Sequence, residues 1–392
     1  MLDADIGIVG GGLAGSMAAA MLGRAGLSTI LIDIHQVYPP DFRCEKIDEG
    51  QLALLAKTGL ADELLKSATP IDELWIARYG HLVAKRANNQ VGIRYDDLVN
   101  AARALIPLIP RESRFIRARA TAISTGPAEQ IITISDGRKI SVRLVVLATG
   151  PNNGLRQSLN IAREDLSKCH SISIGFDAEP AGGGRFQFPA LTYFGEQPGS
   201  RIGYITLFPI DSTMRANLFV YGDMRDPWLR ELRRTPEATL LSSMPNLRKL
   251  TGDFRLTSEI QIRPVDLYVT SGYRQPGVVL VGDAFATSCP AAGTGTTKIF
   301  TDVERLCNVY IPRWLESDGM EAGKIAEFYN DPAKTECDAF CVSLAYYMRS
   351  LAVRKELRWR VRRVGWCFID FTKSALRRPR AQLGFPKEVV QT

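Results

Sequence analysis

The sequence predicts an α/β protein in three parts, and three observations lead to this prediction. A short apolar strand at Ala4–Val9 runs into a glycine-rich turn and then a helix of small residues. The segment 171–270 carries β-rich apolar patterning with few helix signals. Towards the C-terminus, apolar side chains recur at helical spacing. We therefore expect an N-terminal α/β unit, a central sheet and a C-terminal helical region.

Length and composition are those of an ordinary folded protein. The 392 residues are 45% hydrophobic and 23% charged, which excludes a disordered, collagen-like or coiled-coil chain. No run approaches the roughly 18 apolar residues that span a bilayer. Asp3 and Asp5 lie near the N-terminus, and no basic residue precedes Arg24. This charge pattern differs from that of a signal peptide, which begins with basic residues. We expect a cytoplasmic protein with reduced cysteines, and no metal site because the three histidines lie far from Cys337 and Cys341.

The turn after the first strand matches the pattern G-x-G-x-x-G. Gly10 permits a tight turn, Gly12 lets the backbone approach a pyrophosphate, and Gly15 lets the helix pack close to the strand. Free N–H groups at the helix start would face the phosphates. A second strand ends at Asp33, where a carboxylate can accept hydrogen bonds from a ribose. An adenine dinucleotide site is predicted, rather than a glycine-rich turn of an unrelated α/β unit. It comprises Gly10, Gly12, Leu13, Ala14, Gly15 and Asp33.

A second glycine-rich turn follows an apolar strand far downstream, at residues 278–281. The strand leads into Gly282-Asp283-Ala284, which predicts a carboxylate at the carboxyl edge of a sheet, where ligands bind. A loop with Gly293, Gly295 and Thr296 then opens a helix, whose N-terminus favours negative charge. The alternative is an ordinary strand–loop–helix in which Thr296 caps the helix.

Together these motifs resemble the FAD-dependent group A monooxygenase superfamily, with the para-hydroxybenzoate hydroxylase fold. The superfamily includes flavin-dependent halogenases and geranylgeranyl-reductase-like enzymes. The resemblance covers about residues 1–310 and implies FAD as the cofactor, with Asp283 holding its ribityl chain. It also implies that Arg43 lies beside the flavin and that Arg94, at a helix start, lies near the cofactor.

The resemblance implies a Rossmann-like FAD-binding domain with a β-meander, formed by residues 1–170 and 271–310. A substrate-binding sheet would span 171–270, and a helical region 311–392. The meander contains a hairpin signal at Asp136-Gly137, between apolar strands. In the resembled fold the sheet lines the substrate pocket, and we expect Tyr204 and Phe208 to contact the substrate.

The implied reaction is insertion of one oxygen into a small organic substrate through a flavin C4a-peroxide, with NADPH or NADH as a reductant. Typical NADPH-using hydroxylases carry Asp-Gly where this chain reads Ala148-Thr149-Gly150. A reductase or dehydrogenase of the geranylgeranyl-reductase type therefore stays open, as does a halogenase-like enzyme. Halogenase tryptophans and a catalytic lysine have no clear match, and no catalytic residue is assigned.

The positive charge is concentrated near the C-terminus. The whole chain carries a formal charge of +7, whereas residues 345–380 alone hold eleven basic and two acidic residues. Arg354, Arg358 and Arg362 are spaced four apart beside an apolar stripe, which predicts a basic amphipathic helix. We favour docking of this stripe on the protein itself and leave open contact with an anionic membrane or an acidic partner. Nucleic acid is not expected, because the chain has no recognition motif.

Overall fold

The computed structural model describes residues 3–43, 45–106, 113–197 and 200–365. The chain divides into two compact units. The first comprises residues 1–68, 91–168 and 266–339, and the second comprises residues 69–90, 169–265 and 340–392, within which only the described residues are discussed. None of the helices in the described ranges is long and apolar enough to cross a membrane.

The strands and helices alternate through much of the chain. The strands are β1 Ala4–Val9, β2 Thr29–Asp33, β3 Lys46–Ile47, β4 Thr69–Arg78, β5 His81–Gly92, β6 Arg114–Arg117, β7 Ala120–Ser124, β8 Gln130–Ile134, β9 Lys139–Leu147, β10 Ala162–Pro180, β11 Leu191–Phe194, β12 Ile202–Ile210, β13 Thr213–Val220, β14 Phe254–Leu256, β15 Gln261–Ser271 and β16 Val278–Leu280. The helices are α1 Leu13–Arg24, α2 Glu49–Lys57, α3 Ala61–Leu64, α4 Tyr95–Leu105, α5 Gly154–Ser158, α6 Pro227–Arg234, α7 Pro236–Ser243, α8 Arg248–Thr251, α9 Gly295–Arg305, α10 Ile311–Leu315, α11 Ala322–Tyr329 and α12 Pro332–Val353. The sequence prediction of an α/β fold is confirmed.

The first unit is built on a sheet in the order β6-β2-β1-β9-β8-β7, with β16 paired to β9. The strands β6, β2, β1, β9 and β16 run parallel, whereas β7, β8 and β9 form an antiparallel meander. The inner strands β1, β2 and β16 and the second half of β9 supply mostly buried apolar residues to the core, whereas the edge strand β6 begins and ends with exposed arginines. The carboxyl ends of β1 and β16 therefore meet at one edge of the sheet, which brings the two glycine turns together.

The second unit contains the largely antiparallel sheet β14-β10-β13-β12-β11-β4-β5, with β15 paired to β10. The pair β11 and β4 is parallel. Helices α6, α7 and α8 cover the apolar residues of one sheet face. The sequence predicts one helix over 236–250 here, whereas the structure has two short ones in that range, α7 and α8, preceded by α6. Pro236 begins α7, and its missing N–H separates α7 from α6 at Thr235.

The compact units differ from the predicted domains in three segments, one of which is residues 340–365, which belong to the second unit and not to a separate C-terminal region. Residues 69–90 belong to the second unit, because β4 pairs with β11 in its sheet. Residues 311–339 belong to the first unit, because α10 and α11 supply buried side chains such as Trp314 and Phe328 to its core. The resemblance to the superfamily, which ends near residue 310, does not predict these assignments.

The C-terminal helical prediction is partly wrong. Helix α12 ends at Val353, and a second helix runs over 357–365 after a break. Leu357, Val361 and Val364 are 74%, 61% and 48% exposed, so these three do not dock on the described part of the protein. Trp359 and Arg363, on the other side of this helix, are the buried ones. Phe368 and Phe371 lie outside the described residues.

Candidate functional site

Sterics impose glycine at the first turn. Gly10 has φ +104°, and a Cβ there would lie 2.5 Å from the carbonyl oxygen of Ala148. A Cβ on Gly15 would lie 1.9 Å from the carbonyl oxygen of Gly10. Gly12 differs, because a Cβ there would meet nothing within 4 Å. The turn therefore packs tightly behind Gly10 and Gly15 and leaves open space at Gly12.

That space lies at the N-terminus of α1, where Gly12 provides no side-chain cap. The first N–H groups of a helix carry partial positive charge and bind phosphates. Leu13 and Ala14 are buried there, and so is Tyr95, the first residue of α4. Burial raises the pKa of Tyr95 to about 12, so this side chain stays neutral. The turn thus fits the pyrophosphate of a dinucleotide.

Asp33 holds the turn from the end of β2. Its Oδ2 accepts a hydrogen bond from the backbone N–H of Gly11 at 2.7 Å, and its Oδ1 accepts one from the N–H of His35 at 2.9 Å. Each carboxylate oxygen can accept two hydrogen bonds, so Asp33 keeps acceptor capacity for a ribose. The structure therefore adds a turn-holding contact to the predicted role of Asp33.

Arg103 on α4 is a site residue that the sequence analysis missed. Its side chain is 7% exposed and donates from Nε to the carbonyl oxygen of Gly11 at 2.9 Å. Its Nη2 lies 3.3 Å from Oδ1 of Asp33, and its Nη1 donates to the carbonyl oxygen of His35. A Cβ on Gly11 would lie 2.6 Å from this guanidinium. The Cβ of Asp33 would also lie 2.9 Å from a Cβ on Gly11, so Arg103 and Asp33 together explain why the turn has a third glycine.

Arg43 lies beside the second part of the site. Its Nε donates to Asp41 at 2.8 Å, and its Nη1 lies 3.5 Å from Oδ2 of Asp283. The guanidinium also lies 5.8 Å from the ring centroid of Tyr95. Arg94 occupies the N-cap position of α4, directly before Tyr95. The structure thus brings Arg43 and Asp283 together, as a shared cofactor site requires.

Buried polar groups fix the turn Gly282–Ala284. The N–H of Gly282 donates to Oδ2 of Asp302 at 2.8 Å. The Tyr268 hydroxyl donates to the carbonyl oxygen of Asp283 at 2.6 Å. The fully buried Arg156 donates to the carbonyl oxygen of Ala284 at 3.1 Å. Sequence reasoning missed all three supporting residues, since none lies within ten positions of Gly282–Ala284.

The loop before α9 is held from α2. Gln51 is 3% exposed, and its Nε2 donates to the carbonyl oxygen of Gly293 at 2.7 Å and to the Thr297 hydroxyl at 3.1 Å. Gly293 has φ +68° with open space around it. Helix α9 begins at Gly295, so Thr296 lies inside its first turn and Thr294 takes the N-cap position. The alternative of Thr296 as the cap is therefore wrong.

Tyr204 and Phe208, the predicted substrate residues, lie on β12 in the second unit. Tyr204 is partly buried and packs against the rings of Phe194 and Phe219, with centroids 5.6 and 4.8 Å away. Phe208 is 1% exposed in a small apolar cluster with Ile71 and Ile210. Within this unit Tyr204 keeps accessible surface, whereas Phe208 has a packing role.

The protonation of Asp283 yields a prediction about pH. Burial raises the pKa of Asp283, while the positive charges of Arg43, Lys298 and Arg156 oppose the rise. A raised carboxyl pKa means that its stabilising contribution is present below pH 3.8 and is lost as the pH rises through the folded-state value. We therefore compare the free energy of unfolding of Asp283→Asn with that of the wild type at two pH values. The difference, variant minus wild type, should be more positive at pH 7.5 than at pH 4.5. Urea unfolding of the FAD-free protein checks this. A difference that shrinks with rising pH would contradict it.

Comparisons with known proteins bear on this geometry. A model of the FAD binding domain family matches residues 3–309. The chain is 25% identical to 3-demethoxyubiquinol 3-hydroxylase of Escherichia coli over 333 residues, which is 78% of this chain and 79% of that protein. It is 30% identical to ubiquinone hydroxylase UbiL of Rhodospirillum rubrum over 175 residues, only 42% of this chain and 41% of that relative's length. The crystal structure of p-nitrophenol 4-monooxygenase PnpA from Pseudomonas putida DLL-E4 superposes with a TM-score of 0.77 at 16% identity, over 95% of each chain.

Proposed function

This chain belongs to the FAD binding domain family and is an FAD-dependent oxidoreductase of the monooxygenase type, and from this premise we propose that it hydroxylates a phenol or a quinol. The family match also confirms the resemblance that the glycine motifs indicated. The two relatives and the solved structure that we compare carry names of hydroxylases or monooxygenases of ring compounds. These names describe the relatives, and they support our proposal that this chain also acts on a ring compound.

One observation carries the proposal. Strands β1 and β16, which lead into the two glycine turns, both pair with β9, so turns almost three hundred residues apart in sequence meet within one compact unit. A Cβ on Gly282 of the second turn would lie only 3.8 Å from the Cβ of Ala14 in the first, and Arg43 contacts Asp283 beside them. Gly12 leaves room for phosphates at one turn, and the N-terminus of α9 opens at the other. FAD is an elongated dinucleotide whose flavin ring carries negative charge when reduced. Its pyrophosphate would suit the open turn at Gly12, and its flavin would suit the N-terminus of α9.

The residues of the chain would bind and orient the group, and FAD would supply the redox chemistry with oxygen. The α1 N-terminus would hold the pyrophosphate and Asp33 a ribose. Asp283 would accept hydrogen bonds from the ribityl chain, with Arg43 fixing its carboxylate. The start of α9 would stabilise negative charge through its free N–H groups. Tyr204 remains our proposed substrate contact, because its ring can stack on a flat ligand.

The test is an oxygen-insertion assay on the full chain loaded with FAD. We expect 4-nitrophenol or a short-chain benzoquinol to yield a hydroxylated product that carries one ¹⁸O atom from ¹⁸O₂. NADPH and NADH, supplied separately, identify the reductant, which we propose to be one of the two. A chain that holds FAD and reduces its substrate equally well without oxygen would contradict the proposal and favour a reductase. The FAD-free chain serves as the control.

We further propose that the helix over 357–365 contacts an anionic membrane. Its exposed Leu357, Val361 and Val364 are spaced at four and three residues, with Arg358 and Arg362 beside them. An exposed apolar stripe flanked by arginines complements the acyl boundary and the headgroups of anionic lipid.

Vesicle flotation tests this contact. The full chain should float with vesicles containing phosphatidylglycerol and should float less in high salt. Leu357→Ser with Val361→Ser should reduce flotation several-fold, whereas Arg225→Ser, an exposed change in the α6 region, should not. Equal binding by the double variant and the wild type would overturn the proposal. Pull-down by an acidic protein without flotation would instead favour the partner alternative.

A further inference from the structure

Four charged side chains, three of them buried and one partly exposed, form a cluster behind the second glycine turn. Lys298 on α9 and Lys334 on α12 are 2% and 1% exposed, and Asp302 is 1% exposed. Lys334 Nζ lies 2.8 Å from Oδ1 of Asp302 and 3.1 Å from Oδ2 of Asp338. Lys298 Nζ donates to Asp338 and lies 3.8 Å from Oδ2 of Asp302. We call Lys298, Asp302, Lys334 and Asp338 the charge cluster.

Packing α9 against α12 through the charge cluster has a high desolvation free energy. Buried ion pairs give up hydration that their mutual attraction rarely exceeds, and apolar residues of similar volume often serve as well. Lys298 also lies in the first turn of α9, where the helix dipole disfavours a cation. Packing alone therefore gives no reason for a lysine at this position.

The cluster reaches the predicted FAD site through two contacts. Asp302 accepts the hydrogen bond from the N–H of Gly282 at 2.8 Å, so the cluster holds the turn that presents Asp283. Lys298 is among the positive charges that act on Asp283. The ring centroid of Phe285 lies 5.0 Å from the Lys298 ammonium and 4.2 Å from the Lys334 ammonium. Phe285 directly follows the turn Gly282–Ala284, so a buried apolar ring lies between the cluster and that turn.

We propose that Lys298 is a positioning residue that keeps the electrostatic potential at the start of α9 positive, and thereby favours the reduced over the oxidised state of bound FAD. The inference rests on the proposed function, because it requires FAD at this turn. Two lysines and two aspartates make the cluster formally neutral, so that loss of any one of them leaves a net charge. In surroundings of low dielectric constant, such a charge acts over several ångströms.

Other charged groups face the turn and stay constant in the test. Arg43 pairs with Asp283, and Arg156 bonds the carbonyl oxygen of Ala284. Arg305 pairs with Asp331, whose Oδ1 accepts the N–H of Lys334. These pairs are complete without Lys298, so its neutralisation changes the charge of the cluster and leaves the other pairs in place.

The experiment measures the midpoint potential of FAD bound to three full-length variants by spectroelectrochemistry. Lys298→Gln leaves the cluster with one net negative charge, and we expect the potential to become more negative. A tenfold preference for the oxidised state corresponds to about 30 mV for two electrons. Asp338→Asn leaves one net positive charge, and we expect a shift of opposite sign. Lys66→Gln, a change at an exposed lysine outside the cluster, should leave the potential unchanged.

The outcomes separate this inference from the proposed function. Failure of the wild-type chain to hold FAD contradicts both. If the wild type holds FAD while neither cluster variant shifts the potential, the inference alone is overturned, and loss of thermal stability would not rescue it. Shifts of the same sign in Lys298→Gln and Asp338→Asn would also overturn it. Asp338 is partly exposed, so Asp338→Asn keeps the test decisive if Lys298→Gln fails to fold.

Discussion

Replacing Gly12 by alanine is expected to weaken FAD binding about 100-fold while the chain still folds. A methyl group at this position meets no protein atom within 4 Å, so the folded chain can accommodate it. The same methyl group occupies the space where the backbone must approach a pyrophosphate. Loss of an N-cap glycine costs at most about 1 kcal/mol, which leaves a folded protein. Fluorescence titration of the FAD-free variant with FAD measures the change in Kd.

Gly15→Ala is the matched comparison within the same turn. Its methyl group would lie 1.9 Å from the carbonyl oxygen of Gly10, so the backbone must shift. We expect a loss of about 3 kcal/mol or more in the free energy of unfolding, even without FAD. Urea unfolding of both FAD-free variants separates the two effects. Equal stability losses in Gly12→Ala and Gly15→Ala would contradict the division of the turn into a packed side and an open side.

The sequence predicts this site well wherever the chemistry is local. The order of β1, turn, α1, β2 and Asp33 follows from backbone rules for glycine and from the period of apolar residues, and the structure has those elements at those positions. The hairpin at Asp136-Gly137 is also confirmed, since Thr133 pairs with Lys139 across a three-residue turn in which Gly137 takes the positive φ of +86° that such turns favour. Such features need only neighbouring residues.

Supporting residues that arrive from distant elements could not be predicted. Gln51 reaches Gly293 across 242 positions, and Arg156 reaches Ala284 across 128. A buried Gln or Arg looks like any surface residue until the fold shows what surrounds it. One signal was available: Gly11, a third consecutive glycine that the motif does not require, indicates a bulky neighbour at the turn. The exposed face of the helix over 357–365 could not be read from periodicity either, because an apolar stripe does not say what covers it.

That neighbour, Arg103, leads to the second large effect. Arg103→Met should lower the free energy of unfolding by at least about 2 kcal/mol, because it removes charge-assisted hydrogen bonds to the carbonyl oxygens of Gly11 and His35. It also leaves Asp33 without its cation. Methionine retains much of the apolar stem, so that the loss reports on the guanidinium. Chemical unfolding of the FAD-free protein measures it.

The same variant should bind FAD at least tenfold more weakly, since the carbonyl of Gly11 and the carboxylate of Asp33 lose the group that orients both. Arg117→Met is the matched control, because that arginine is exposed and makes only a 3.4 Å contact with the carbonyl oxygen of Ile34. It should change neither quantity by more than about 0.5 kcal/mol. If Arg103→Met unfolds like the control, or binds FAD like the wild type, the guanidinium does not hold the turn. The third glycine would then be explained by Asp33, whose Cβ would lie 2.9 Å from a Cβ on Gly11.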